Sequence, residues 1–267
     1  MSTVLEIKNL HQIFEPGTIN ENHVLKGIDL SIEAGDFITI IGGNGAGKST
    51  LLNSIAGAIP IKTGKITLNG KEITKQSVIK RSKSISRVFQ DPKLGTAVRL
   101  TVEENLALAL KRGNRRGFSL AVKAKNRPFF KEQLKTLNLG LEDRLNTEIG
   151  LLSGGQRQAI TLLMATLQRP DLILLDEHSA ALDPKTSQTV MNLTQRMIEE
   201  NQLTAFMVTH NMEDAITYGN RLIMLHQGQI VVDLKEEEKK HLTVPKLMEL
   251  FQKNSGKELN EDELLLK

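Results

Sequence analysis

The sequence predicts an α/β protein with a mostly parallel sheet, an N-terminal antiparallel β region and a helical subdomain. Three observations predict it: alternating β patterns fill the first third, helical spacing begins at Leu100, and apolar strands alternate with helices after Ser153. Apolar strands that alternate with helices indicate a parallel sheet covered on both faces. At 267 residues, with 39% of them hydrophobic, the chain is long enough to bury a core.

The first third contains the β patterns VLEIKNL, FITII (37–41) and GKITLNG (64–70), of which the last closes with an Asn-Gly turn. The only helix expected early in the chain follows FITII. In TVEENLALAL, Thr101 is expected to cap a helix and Glu104 to complete a capping box. PFFKEQLKTLNLG is expected to be a helix that ends at Gly140.

Beyond Ser153, the strands LILLDE, TAFMVTH and RLIMLHQGQIVVD are separated by helical segments, one of them directly after Pro184. We therefore expect one domain over residues 1–267. It would comprise a core (1–90 and 151–235), a helical subdomain (91–150) and a C-terminal helical tail (236–267).

Composition excludes several classes of protein. The chain has no cysteine, so disulfides, Fe–S clusters and thiolate zinc sites are excluded. No apolar run approaches the roughly 18 residues of a membrane span, and MSTVLEIKNL lacks a secretory signal. A net charge of +4 does not indicate a nucleic-acid binder. We expect a soluble or peripheral protein with no nucleic-acid partner.

One stretch, 111–131, is basic throughout and contains no acid. It is interpreted as a solvated face, with an anionic lipid surface as the alternative and RNA as the least favoured partner. Its basic residues are Lys111, Arg112, Arg115, Arg116, Lys123, Lys125, Arg127 and Lys131.

GGNGAGKST follows the strand FITII and precedes a helical pattern, which is the context of a phosphate-binding P-loop. Backbone N–H groups and a helix N-terminus bind anionic oxygens, a lysine reaches the β- and γ-phosphates, and a hydroxyl ligates Mg²⁺. Kinases, GTPases, helicases and transport ATPases all remain possible on this motif alone. The predicted ATP-binding residues are Gly42, Gly43, Asn44, Gly45, Ala46, Gly47, Lys48, Ser49 and Thr50.

Two acids, Asp176 and Glu177, end the apolar strand 172–175. Asp176 is expected to hold Mg²⁺ indirectly, through water or Ser49, and Glu177 to orient or deprotonate the attacking water. An acid pair that merely opens a helix is the plain alternative. A water-directed acid favours hydrolysis over kinase chemistry.

LSGGQRQ (152–158) predicts a second phosphate-docking helix start, at which Ser153 caps the helix and Gly154, Gly155 and Gln156 form its first turn. A second such surface makes sense if it serves a nucleotide held by another copy of the chain.

Together these motifs resemble the ATP-binding-cassette (ABC) family. They correspond in order to Walker A (42–50), the Q-loop (Gln90), the signature (152–158), Walker B (172–177), the D-loop (181–183) and the H-loop (His210). The resemblance covers residues 1 to about 235 and implies a head-to-tail, ATP-dependent homodimer.

The resemblance also implies roles for single residues. Gln90 would sense the γ-phosphate and the metal, and His210 would contact the γ-phosphate. Asp183 would link the two sites of the dimer. Phe14, or less favourably His11, would stack on adenine. With Glu177 these give a catalytic set of Glu177, His210 and Gln90, and a metal set of Ser49, Gln90 and Asp176.

The implied function is that of an ATPase subunit on the cytoplasmic face of the membrane, working with permease subunits and, indirectly, a solute-binding protein. LSGGQRQAITLLMATLQRP and DEHSAALDP resemble an importer subgroup for small solutes such as amino acids, including aromatic ones. An exporter subunit and a soluble ATPase acting on ribosomes or DNA are the alternatives.

His178 departs from the family, which usually has proline after the Walker B glutamate. It is interpreted as a loop residue near the dimer interface that marks a subgroup and takes no direct part in catalysis. No second histidine or cysteine stands at ligand spacing to make it a metal site.

Overall fold

A computed structural model describes residues 2–114 and 122–255. Its strands are β1 (Thr3–Phe14), β2 (Asn22–Glu33), β3 (Phe37–Ile41), β4 (Thr63–Leu68), β5 (Lys71–Glu72), β6 (Ile85–Val88), β7 (Leu172–Asp176), β8 (Ala205–Val208), β9 (Arg221–His226) and β10 (Gln229–Leu234). Its helices are α1 (Lys48–Ala56), α2 (Val78–Arg81), α3 (Val102–Ala109), α4 (Arg127–Lys135), α5 (Gly154–Thr166), α6 (Pro184–Glu200), α7 (Met212–Thr217), α8 (Glu236–Lys239) and α9 (Val244–Ser255).

Contacts divide the described residues into two compact units. The first unit comprises the described residues of Met1–Arg81 and Gln202–Lys267, and the second those of Ser82–Asn201. The predicted helical subdomain, 91–150, lies inside the second unit together with β6, β7, α5 and α6. The finer division into core, subdomain and tail stays a prediction.

The first unit contains the predicted antiparallel β region, a sheet with the strand order β2-β1-β4-β5. Leu5 of β1 pairs with Leu68 of β4 and with Ile32 of β2. The Asn-Gly turn is confirmed: Asn69 and Gly70 have φ of 47° and 73°, the pair of positive angles that a tight hairpin of this hand requires.

A second set of strands in the first unit runs in the order β10-β9-β3-β8. β3 is parallel to both β8 and β9, and all five of its residues are buried, as expected for a parallel strand covered on both faces. β10 is antiparallel to β9, to which it is joined by the turn at Gln227 and Gly228. The predicted mostly parallel α/β fold is therefore confirmed.

The C-terminal end of α1 is held by Arg81, a residue of the short helix α2 that the sequence did not predict. Its guanidinium donates to the carbonyls of Ser54 (2.7 Å) and Ile55 (2.8 Å), and to those of Thr74 (2.8 Å) and Gln76 (3.2 Å). The last carbonyls of a helix lack intrahelical donors, so a buried cation stabilises that end. Burial lowers the pKa of Arg81.

The helical tail packs on the first unit through α9. Leu247 and Phe251 join a buried cluster with Ile41 and Met224, and the Phe251 ring meets His226 edge-on at 5.0 Å. Lys239 of α8 is also buried, and its ammonium donates to the carbonyls of Tyr218 and Gly219. Residues 256–267 lie outside the described part of the chain.

The second unit contains the parallel pair β6 and β7, in which Val88 pairs with Leu175. The capping box of α3 is confirmed: the Glu104 N–H donates to Thr101, and the Glu104 carboxylate accepts the Thr101 N–H. The predicted end of the next helix at Gly140 is wrong. α4 ends at Lys135, and Asn138 takes the left-handed conformation (φ 55°) earlier than Gly140 does.

Two arginines of the basic stretch make contacts within the protein. Arg112 donates to Ser86 Oγ (2.5 Å) and to the carbonyl of Ala165 (2.9 Å), and burial lowers its pKa. Arg127 pairs with Glu103, with Nη2 2.8 Å from Oε2. Arg115 and Arg116 lie outside the described residues. Within 2–114 and 122–255, no helix combines the length and apolar character of a membrane span.

Candidate functional site

The P-loop connects β3 to α1 in the first unit. Gly47, the residue before α1, has φ 102°, and a Cβ there would lie 2.8 Å from Leu25 Cδ2 and 3.2 Å from the carbonyl oxygen of Val24. A side chain at this position would therefore be strained and would collide with β2. The loop keeps its backbone conformation and its close approach to β2 because the residue is glycine.

The start of α1 has the chemistry of an anion site. Gly47 offers no side-chain oxygen to the first amides of α1, and the first turn contains no acid that would repel an anion. Lys48 is 8% exposed, and its ammonium donates to the carbonyls of Gly42 (2.5 Å) and Gly43 (3.1 Å). Ser49 is exposed beside it. A buried cation and an accessible hydroxyl thus stand at one helix N-terminus.

His210 follows β8 in the same unit. β8 is parallel to β3, with Ile40 paired to Val208, and the Thr209 N–H donates to the Ile40 carbonyl (3.0 Å). The carboxyl ends of these two strands therefore place His210 at the same sheet edge as the P-loop. Burial raises the pKa of Asp214, in the first turn of α7, and the charge of His210 opposes that rise.

Phe14 ends β1 and is 38% exposed, so it is not a core residue. It pairs with Asn22 of β2, the strand that passes the P-loop at Gly47. His11 is engaged instead in a pair with His23, whose Nε2 lies 3.1 Å from His11 Nδ1. The exposed ring of Phe14 keeps it as the better candidate for adenine stacking.

Three predicted residues stand at the carboxyl edge of β6 and β7 in the second unit. Gln90 follows Val88 by two positions and is exposed, Asp176 ends β7, and Glu177 comes next. The register of Val88 with Leu175 brings the two strand ends together. Glu177 has φ 46°, an uncommon left-handed conformation for a residue other than glycine, asparagine or aspartate.

Arg87 is a further charged residue at this edge. Its Nη2 lies 2.5 Å from Asp176 Oδ2, and both side chains are less than a fifth exposed. The guanidinium also lies 4.6 Å from the centre of the Phe89 ring. Sequence reasoning missed this ion pair, although a cation inside the apolar strand ISRV was a usable signal.

The signature residues begin α5. The Gln156 N–H donates to Ser153 Oγ (3.2 Å) and the Gln156 side chain accepts the Ser153 N–H (3.3 Å), a capping box. A Cβ at Gly154 would lie 3.0 Å from Leu182 Cδ2, and one at Gly155 would overlap the methyl group of Thr186. The two glycines thus allow α5 to start close to the turn that leads into α6.

Asp183 is the N-cap of α6. Its Oδ1 accepts the Thr186 N–H at 3.1 Å, and the hydrogen bonds from Thr186 lower its pKa. The signature and the D-loop, which are about thirty residues apart in sequence, are therefore neighbours in the second unit.

His178 is 2% exposed and its Nε2 lies 2.8 Å from Thr194 Oγ1 of α6. Burial lowers its pKa to about 4. His178 lies in the turn after β7, as expected for a loop residue, and its side chain packs inside the second unit. Its position near a dimer interface stays a prediction. No feature of the sequence pointed to Thr194 as the partner of His178.

Known proteins resemble this chain along most of its length. The family model described as "ABC transporter" matches residues 25–180. A "Tyrosine transport ATP-binding protein" of Clostridioides difficile (strain R20291) is 46% identical over 254 residues, which are 93% of this chain and 99% of that protein. The "Phosphonates import ATP-binding protein PhnC" of Alcaligenes faecalis is 34% identical, over 86% of this chain and 82% of that one.

Solved structures give the same result. The dimeric post-hydrolysis state of the ATP-binding cassette MJ0796, bound to ADP and Pi, superposes with a TM-score of 0.73 at 30% identity, covering 87% of this chain and 98% of that one. The ADP conformation of the cassette MJ1267 gives 0.76 at 26% identity, covering 94% and 99%. The chain therefore belongs to the ABC transporter family, as an ATP-binding subunit with ATPase activity.

Proposed function

We propose that this ATPase energises the import of a small solute, with an aromatic amino acid such as tyrosine as the first candidate. The observation that carries the proposal is the 46% identity, over 99% of its length, to a protein named for tyrosine transport. Relatives named for phosphonate and thiamine import favour an importer over an exporter. The names of these relatives refer to transport and not to ribosomes or DNA.

The P-loop supports the ATP-binding part of the proposal. The amides at the start of α1 would bind the phosphate oxygens, and glycine at position 47 gives the loop the left-handed backbone conformation that precedes this helix start. Lys48 now donates to two loop carbonyls, and it would exchange these acceptors for the β- and γ-phosphates. Phe14, exposed at the end of β1, would stack on the adenine.

The three proposed catalytic residues each follow the end of a strand. Glu177 would orient or deprotonate the attacking water, a contribution of about 10²–10⁴ in rate. His210 and Gln90 would each contact the γ-phosphate, the roles that the family motifs imply for these two positions.

The residues present fit a magnesium ion. Ser49, Gln90 and Asp176 offer oxygen ligands only, which is the donor set that Mg²⁺ prefers. Asp176 Oδ2 is already 2.5 Å from Arg87, which suits an indirect, water-mediated role for this carboxylate. The ion would neutralise charge on the β- and γ-phosphates.

We further propose that two copies of the chain bind ATP between them. Ser153 to Gln156 would contact the nucleotide held by the P-loop of the other copy, and Asp183 would link the two sites. The exposure of Ser153 at the N-terminus of α5, next to the start of α6, supports this assignment. The dimer would work at the cytoplasmic face of the membrane with permease subunits and, indirectly, a solute-binding protein.

The test is to co-purify the chain with its membrane partner, to add the solute-binding protein and to measure ATPase activity in proteoliposomes. We expect stimulation by the binding protein loaded with tyrosine, phenylalanine or tryptophan, and none by leucine or a phosphonate. Glu177→Gln should bind ATP, stop turnover and trap an ATP-dependent dimer. Stimulation by a phosphonate alone would overturn the solute assignment, and wild-type turnover in Glu177→Gln would overturn the role of Glu177.

A further inference from the structure

The turn that carries Glu177 contains one buried side chain. Within the turn 177–182, all of which is described, His178 is the buried residue, and its neighbours are exposed or half-buried. Two short hydrogen-bonded turns follow it, from the Ala180 N–H to the Glu177 carbonyl (3.0 Å) and from the Leu182 N–H to the Ser179 carbonyl (3.1 Å). The buried side chain of His178 therefore anchors this turn to α6.

The direction of the anchoring hydrogen bond can be deduced. Thr194 Oγ1 lies 2.8 Å from the carbonyl oxygen of Val190 and 2.8 Å from His178 Nε2. A carbonyl oxygen only accepts, so the single hydroxyl proton of Thr194 goes to Val190. His178 Nε2 must then carry a hydrogen and donate to Thr194 Oγ1. The two hydrogen bonds therefore run in one direction: His178 donates to Thr194, and Thr194 donates to the carbonyl of Val190 in α6.

The conformation of Glu177 needs such an anchor. A non-glycine residue in the left-handed region costs about 1–2 kcal/mol, and it persists only where its surroundings hold it. Glu177 has φ 46°, and the next residue is His178, fixed to the middle of the 17-residue helix α6. This backbone conformation sets the direction of the Glu177 Cα–Cβ bond, from which the carboxylate extends.

We propose that His178 is a positioning residue for ATP hydrolysis, which holds Glu177 in its productive backbone conformation through the hydrogen bond to Thr194. The inference rests on the proposed role of Glu177 as the residue that directs water. The His178 side chain is buried against α6, so its loss should reduce turnover and leave nucleotide binding intact. A misplacement of about 1 Å in a catalytic group can cost a hundredfold in rate.

The test compares variants that keep or remove the hydrogen bond. His178→Leu removes the donor, and His178→Gln keeps an N–H donor. Thr194→Val removes the acceptor, and Thr194→Ser keeps it. Thr189→Val is the matched control, because Thr189 bonds the Lys185 carbonyl in the same way on the exposed side of α6. Each full-length variant is assayed for kcat, KM for ATP and thermal unfolding.

We expect His178→Leu and Thr194→Val to lower kcat about tenfold or more while KM for ATP stays within about twofold. His178→Gln and Thr194→Ser should recover most of the turnover, and the control should match wild type.

A folded His178→Leu variant with wild-type kcat would overturn the inference. A rise in KM for ATP equal to the fall in kcat would also overturn it, because His178 would then act on binding. If Glu177→Gln itself turns over at the wild-type rate, the proposed function of Glu177 fails instead, so the two failures are distinguishable.

Discussion

Replacement of Arg81 by lysine tests how the end of the P-loop helix is held. Arg81 is 3% exposed, and its four hydrogen bonds go to carbonyls at 2.7–3.2 Å. It also covers Gly57, the residue after α1, since a Cβ there would lie 2.9 Å from Arg81 Nε. A lysine would keep the charge but place all its donors on one nitrogen atom, whereas the planar guanidinium reaches carbonyls on both sides.

The magnitude follows from the hydrogen bonds that lysine cannot make. If two of the four carbonyls lose a charged donor worth about 1.5–3 kcal/mol each, partly recovered by water, the free energy of unfolding should fall by about 2–4 kcal/mol. For a chain of this size that corresponds to a melting temperature lower by roughly 4–16 °C.

The assay is chemical and thermal unfolding followed by far-UV circular dichroism, because the chain has no tryptophan and one tyrosine. Hydrogen exchange adds a local test: the amides of Gly57 and Ala58, which bond carbonyls at the end of α1, should exchange faster in the variant. The exposed neighbour gives the control, since Lys80→Ala should change stability by less than about 0.5 kcal/mol. Equal stability and equal exchange in Arg81→Lys would refute the capping role.

Two further predictions concern a pH dependence and a steric contact. Burial lowers the pKa of Lys239 from 10.5 to about 7, so between these values the unfolded chain binds more protons and stability should rise with pH, by at most ~1.4 kcal/mol per unit. Lys239→Met should flatten this rise in urea midpoints, whereas the exposed Lys240→Met should keep it; an unchanged slope in Lys239→Met would contradict the prediction. Gly155→Ala should destabilise the second unit by about 1–3 kcal/mol, because the new methyl group would overlap the Thr186 methyl group. Adding Thr186→Ser should remove this overlap and restore stability. A Gly155→Ala protein as stable as wild type would show that α6 moves to accommodate the methyl group.

Several elements were predictable because their signals are local. A glycine-rich loop between an apolar strand and a helix, a threonine with a glutamate three residues later, and an Asn-Gly pair each act through the backbone within a few residues. The end of α4 was missed for a related reason, since Asn138 and Gly140 both tolerate left-handed angles and the sequence does not decide which is used.

By itself the sequence determined the α/β class, the ordered motifs and hence the family, because these depend on residue type and spacing along the chain. Only the tertiary structure decided the partners of buried charges and polar groups: Arg87 for Asp176, Arg81 for the end of α1, and Thr194 for His178. Each of these contacts joins residues that are between 16 and 89 positions apart. Such pairings depend on how strands and helices pack. The cost of burying a charge or polar group must be offset by a partner, and no local pattern in the sequence identifies that partner.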